Sequence, residues 1–232
     1  MTTQTTTTLS QRTLEVLKNF STINSNILVK PGNVLTTISP IKNVMSEATV
    51  EEYFDTEFGI WDLNKFLGTI SLFKKPEFEF YEKYVNITDA GNSSSVTYYY
   101  SEPRLLTTVN KKINMPESVV NCTLTQSVFS DILRAASVLQ VSDIAIRSNG
   151  SDIEIVALDK SDSTTNSYSV ALGGDNPNAA DFTFYFKAEN LKMLPGDYDI
   201  GISDKVVSQF TKVNDDIVYW VALESDSNYI KE

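Results

Sequence analysis

Leu9-Ser10-Gln11-Arg12-Thr13-Leu14-Glu15-Val16-Leu17-Lys18-Asn19-Phe20-Ser21 reads as an amphipathic helix, and it decides the fold because a second copy follows it. Ser10 suits an N-cap, and Leu14, Val16, Leu17 and Phe20 fall on one side at a 3.6-residue period. Gln11, Arg12, Glu15, Lys18 and Asn19 fall on the other. At an offset of 115 positions, Leu124-Thr125-Gln126 matches Leu9-Ser10-Gln11, and Phe129 and Ile132 answer Leu14 and Leu17. Ser127 to Leu139 is therefore a helix too, with Ser127, Ser130, Asp131 and Arg134 on its polar side.

Outward from the first helix, short strands are expected at Ile27 to Lys30 and Val34 to Ile38, across a Pro31-Gly32-Asn33 turn. Tyr53 to Trp61 follows, then a second helix from Leu63 to Leu72, and strands near Phe78 to Tyr84 and Val96 to Tyr100. After the repeated helix come strands at Asp143 to Arg147 and Ile153 to Leu158, joined at Ser148-Asn149-Gly150, then Ser167 to Leu172 and Phe182 to Phe186. A fourth helix, Ala188 to Leu194, stops at Pro195-Gly196, and strands close the chain at Tyr198 to Ser203, Val207 to Lys212 and Ile217 to Leu223. The order helix, strands, helix, strands thus occurs twice, which two similar α+β domains explain better than coincidence. The expected layout is a frayed threonine-rich tail at 1–8, a domain at 9–102, a connector at 103–120 carrying Pro103 and Pro116, and a second domain at 121–232.

Composition removes most catalytic chemistry. The chain has no histidine, so Ser-His-Asp and Cys-His nucleophiles and imidazole-ligated zinc are impossible. Its one cysteine, Cys122, excludes an internal disulfide and a thiolate cluster. The nine glycines are scattered and form neither phosphate-cradling motif. Asp197 with Asp199, and Glu51 with Glu52, could suggest a hard-cation site, but neither pair has a convergent third ligand. No metal and no cofactor are expected. No run approaches the roughly 18 apolar residues of a membrane span, and the N-terminus has neither the basic start nor the apolar core of a signal peptide. A net charge of −11 argues against wrapping nucleic acid on the outer surface, yet leaves room for a local basic face.

Four stretches carry a family resemblance. Leu14-Glu15-Val16-Leu17-Lys18-Asn19-Phe20-Ser21-Thr22-Ile23-Asn24-Ser25 resembles the N-terminal helix of the sliding clamps of T-even-type tailed phages. Trp61-Asp62-Leu63-Asn64-Lys65-Phe66-Leu67-Gly68, Asn190-Leu191-Lys192-Met193-Leu194-Pro195-Gly196-Asp197-Tyr198 and Tyr219-Trp220-Val221-Ala222-Leu223-Glu224-Ser225-Asp226-Ser227 are similar to that family in the same order. Thr36 to Glu52 and Lys74 to Tyr100 depart from it. The resemblance implies the processivity-clamp fold: two domains per chain, antiparallel sheets outside, two helices per domain lining a central hole, and a homotrimeric ring. It implies a non-enzymatic role in the cytoplasm of an infected bacterial host. The expected partners are double-stranded DNA held topologically, the phage DNA polymerase, an ATP-using clamp loader, and late-transcription factors with host RNA polymerase, with no membrane.

Under that reading the DNA-facing cations are Arg12, Lys18, Lys65, Arg134, Lys187 and Lys192, although each also suits an ordinary solvated helix face. An apolar pocket under the connector would use Ile38, Ile41, Leu105, Leu106, Val109, Val207, Trp220 and Ala222. Strand alternation does not separate pocket from core at these positions. Two edge strands would close the ring, one with Val96, Tyr98 and Tyr100, the other with Ser167, Ser169 and Ala171. The rival readings are a β-rich phage tail component, which leaves the duplicated helices unexplained, and a carboxylate-dependent nuclease.

Overall fold

A computed structural model of the chain describes residues 6–91, 93–109, 113–150, 152–176 and 180–230. The chain divides into two compact units, Met1–Lys111 and Lys112–Glu232.

In the first unit, helix α1 (Gln11–Ile23) starts where expected. Ser10 is the N-cap, its Oγ accepting from the Thr13 N–H at 3.1 Å. The Glu52 carboxylate accepts from the Ser10 N–H and the Thr13 hydroxyl, which ties the helix start to the sheet and puts negative charge at its positive end. Thr13, Val16, Leu17, Phe20 and Ile23 are buried. Then come β1 (Ile27–Val29), β2 (Gly32–Ile38), β3 (Val44–Phe54), β4 (Phe58–Ile60), α2 (Leu63–Ile70), β5 (Pro76–Phe80), β6 (Tyr84–Asp89), β7 (Ser95–Tyr99) and a 3-10 turn at Pro103–Leu105. The pairings β1–β4, β2–β3 and β5–β6–β7 are all antiparallel. Phe58 meets Phe54 and Phe80 at centroid distances of 5.6 and 5.2 Å, joining the small sheets through one aromatic cluster.

Two expectations change here. Tyr53 to Trp61 is not one strand: the chain turns at Asp55-Thr56-Glu57, between β3 and β4. The tail reading of 1–8 fails at Thr7, which exchanges both backbone hydrogen bonds with Phe78, at 2.9 and 2.8 Å. Residues 1–5 lie outside the described residues.

The second unit opens on β8 (Val120–Leu124) and α3 (Gln126–Leu139), capped by Thr125 and ended by Gln140 in the left-handed region. Its remaining strands are β9 (Asp143–Asn149), β10 (Ile153–Leu158), β11 (Tyr168–Asp175), β12 (Asp181–Lys187), β13 (Tyr198–Ser203), β14 (Val207–Lys212), β15 (Ile217–Ala222) and β16 (Asn228–Ile230). They run antiparallel in the order β16-β12-β9-β10-β11-β8-β13-β14-β15. β11 changes partners midway, pairing β10 through Leu172 and β8 from Gly173. A Cβ at Gly174 (φ 147°) would stand 2.8 Å from the Asn121 carbonyl oxygen, so the crossing needs glycine.

The fourth helix is absent. Ala188–Asn190 makes a single 3-10 turn, and the chain then runs irregularly to Pro195. Two physical reasons are visible. Lys187 at the cap position gives no side-chain capping bond, and Pro195 holds Leu194 out of the helical region, leaving too few residues to offset nucleation. Two buried tyrosines serve the freed backbone instead. The Leu194 N–H donates to Tyr219 Oη at 3.1 Å, and Tyr198 Oη donates to the Leu194 carbonyl.

Candidate nucleic-acid interface

The helices present short polar faces, and the two units charge them differently. On α1, Lys18 is exposed and Arg12 half-buried, with Glu15 exposed between them and accepting from Gln11 Nε2 at 3.1 Å. On α2, Lys65 is exposed one turn from the N-cap Asp62, whose Oδ1 accepts from the Lys65 N–H at 2.9 Å. Among the described residues, neither Lys18 nor Lys65 makes an ion pair. On α3, Arg134 bonds Asp131 at 2.7 Å, one turn back on the same face. Lys187 and Lys192, expected around a fourth helix, lie on other elements because that helix does not form. Lys187 ends β12 and grips Asp143, a carboxylate 3% exposed, at 2.6 Å; Lys192 is exposed on the irregular segment before Pro195. Sequence spacing could have revealed the Asp131 partner, three residues before Arg134. The Asp143 partner is long-range and had no local signal.

The pocket residues also divide. Leu106 is buried and fills the space over Gly59, where an added Cβ would stand 2.6 Å from Leu106 Cδ1. It is packed as a core anchor of the first unit. Ile41 and Leu105 are exposed, and Ile38 and Val109 half-buried. In the second unit Val207 pairs with Ala222 across β14 and β15, and Trp220 lies two residues from Ala222 on the same face. These three are half-buried, and Trp220 Nε1 donates to Gln209 Oε1 at 3.0 Å, which holds the indole along the strand surface.

β7 is an edge of its three-stranded sheet among the described residues. Because the strand alternates, Val96, Tyr98 and Tyr100 share its inner face. Tyr98 packs on Phe66 at 5.0 Å and donates to the Asp62 carbonyl at 3.3 Å, and Tyr100 stacks on Phe58 at 5.1 Å. Val96 shares that half-buried face, while Tyr99 points outward, 71% exposed. The Tyr100 hydroxyl is buried without a hydrogen-bond partner, and burial pushes its pKa well up. In the second unit Ser167, Ser169 and Ala171 are exposed, and Tyr168 to Leu172 pair with β10 on one side. Among the described residues no cluster of three acidic or cysteine side chains could hold a metal ion, and no helix is long and apolar enough to cross a membrane.

Comparison with known proteins agrees with this arrangement in both halves. Residues 10–103 match the family described as DNA polymerase processivity factor, and residues 123–225 match the family described as gp45 sliding clamp, C terminal. The sliding clamp of Enterobacteria phage T4 is 31% identical, covering 95% of this chain and 98% of its own. That of Vibrio phage KVP40 is 28% identical, covering 94% and 99%. A PCNA2-PCNA3 complex from Sulfolobus tokodaii superposes with a TM-score of 0.69 at 12% identity over 96% of this chain and 100% of the matched one, a likeness of fold alone. The chain has the clamp fold, its second unit keeping one α-helix and a 3-10 turn, and it belongs to the sliding-clamp family of DNA polymerase processivity factors found in tailed phages.

Proposed function

We propose that this chain works without catalysis, as a homotrimeric ring around duplex DNA that tethers the phage replicative polymerase in the host cytoplasm. A clamp loader opens the ring on DNA, and the loaded ring also supports late transcription by host RNA polymerase. The observation that carries this reading is the ordered match of both halves to clamp families, with a capped amphipathic helix at the start of each. The charge pattern supports it: the chain is at −11, yet α1 and α2 present on their exposed faces Lys18 and Lys65, which make no ion pair among the described residues. A ring holds DNA by topology, so weak phosphate attraction inside an acidic body lets it slide.

Ring closure would join the β7 edge of one protomer to the Tyr168 to Leu172 edge of the next, leaving neither as an open template. Peptide tails of partners would dock on apolar side chains that each unit offers by itself, Ile41 and Leu105 in the first and Val207, Trp220 and Ala222 in the second, with most affinity from a few of these. Loader-dependent binding to circular DNA, followed by linearisation, tests the core of this reading. Release on cutting is expected. A protein that stays on the linear product with free ends would overturn topological tethering.

A further inference from the structure

We propose that the DNA-facing surface is electrically uneven: Lys18 and Lys65 of the first unit attract phosphate, whereas Asp131 silences Arg134 in the second. This rests on the ring reading above, in which the polar helix faces line the hole. Its basis is the contrast between the helices. Lys18 and Lys65 are exposed and make no ion pair among the described residues, and α1 and α2 with their caps carry three cations, Arg12, Lys18 and Lys65, against two carboxylates, Glu15 and the cap Asp62. On α3 the charged groups are Asp131 and Arg134, in contact at 2.7 Å, and the rest of the exposed face is Gln126, Ser127, Ser130, Ser137 and Val138.

The guanidinium is 76% exposed and its partner 37%, so the pair stands in water and holds together only modestly. Its effect on a nearby polyanion is nonetheless large in sign. A phosphate approaching α3 meets a dipole with no net charge, and the carboxylate itself repels it. Approaching α1 and α2, it meets three cations against two carboxylates, an excess of one positive charge, with the Lys18 and Lys65 ammonium groups exposed. Ser127, Ser130 and Ser137 offer hydroxyls that bond phosphate or water without retaining it. Duplex DNA would therefore lean toward one unit of each protomer and pass from subunit to subunit with threefold modulation, the second units acting as low-friction spacers.

The test is loader-dependent retention on circular DNA at low and moderate salt, with trimer assembly checked by sedimentation. Asp131→Asn should lengthen retention several-fold at low salt and steepen its salt dependence, since each added phosphate contact contributes a log–log slope of about −0.9. Asp131→Asn with Arg134→Gln should return to the parent. Lys18→Glu with Lys65→Glu should shorten retention by more than Arg134→Glu does. If the lysine variant shortens retention but Asp131→Asn changes nothing, or if its gain survives in the double variant, silencing by Asp131 is overturned while the ring reading stands. If none of the variants changes retention, the helices do not face DNA, and the reading beneath falls with the proposal.

Discussion

The two units start from the same plan and solve the segment before their later strands differently. In the first, Asp62 caps α2 with a bond to the Lys65 N–H, and eight residues complete a helix burying Leu63, Phe66 and Ile70. In the second, the corresponding stretch has no cap and meets a proline. Tyr198 and Tyr219, both fully buried, take over its backbone groups. A helix satisfies its own backbone and leaves its side chains free to face solvent. A segment held by side chains from neighbouring strands is fixed in place but presents little of its own. The same division runs through the charges: among the described residues Lys18 and Lys65 on the first unit's helices make no ion pair, whereas Arg134 and Lys187 in the second are internally bonded.

The strongest way to break this comparison is to attack the anchor particular to the first unit. Leu106→Ala removes a buried side chain packed over Gly59 and should cost about 3 kcal/mol, as large-to-small core changes do. Ile41→Ala, at a side chain 77% exposed, should stay within about 0.5 kcal/mol and instead weaken partner binding. Urea denaturation of both variants at one protein concentration measures the difference. Equal stabilities would mean that Leu106 is surface, not core.

Next in size is the tyrosine clamp. Tyr198→Phe leaves the Leu194 carbonyl without its donor and should cost about 1–3 kcal/mol. Tyr100→Phe makes the same change in the first unit, where the buried hydroxyl has no partner, and should leave the isolated chain as stable or more so. The pair sharpens the contrast, since one hydroxyl replaces a helix and the other replaces nothing. Comparable losses from both, read by thermal melting, would break it.

The helix pair α1 and α3 was legible because capping residues and apolar spacing are local: Ser10 caps α1 as expected, and Thr125, its match in the repeat, caps α3, one residue earlier than the helix start read from the spacing. β10, β13 and β14 were legible to the residue, since alternation and flanking turns mark them. β3 was hidden: its run from Val44 carries Ser46, Glu47, Glu51 and Glu52, and pairing with β2 decides it. The missing fourth helix was written in the sequence by Pro195 and the uncapped start, but the duplication suggested otherwise. At the candidate site, the side chains of Tyr98 and Tyr100 turned inward because Phe66 and Phe58 lie beneath β7, a tertiary fact with no sequence signature.

A smaller effect comes from the cap itself. Asp62→Ala removes the acceptor for the Lys65 N–H and should destabilise the first unit by about 1 kcal/mol, through fraying of α2. Asp62→Asn should restore most of it, because the amide oxygen still accepts. Backbone hydrogen exchange at Asn64 and Lys65 reports the fraying directly. Faster exchange spread over the second unit as well would show that the cap is not a local device.

The smallest expected effect concerns Cys122, which sits on β8 in the second unit and is 4% exposed. Burial penalises the thiolate and pushes its pKa up to about 12 from 9.0. The folded chain therefore keeps the proton that the unfolded chain releases. Well below pH 9 both states hold it and stability is unaffected; as pH rises through 9 toward 12 only the unfolded state ionises, and stability falls. At pH 9.5 the loss from this one group is about 0.8 kcal/mol by proton linkage. Cys122→Ala removes the titration at the expense of a small cavity, so the two proteins should differ most at pH 7 and converge toward pH 10. Parallel melting curves across that range would mean the thiol ionises as readily in the fold as out of it. Native Cys122 should accordingly resist alkylation at pH 8.5 at a rate set by opening of the second unit's sheet, and reagent uptake at the speed of a free thiol would place β8 at the surface instead.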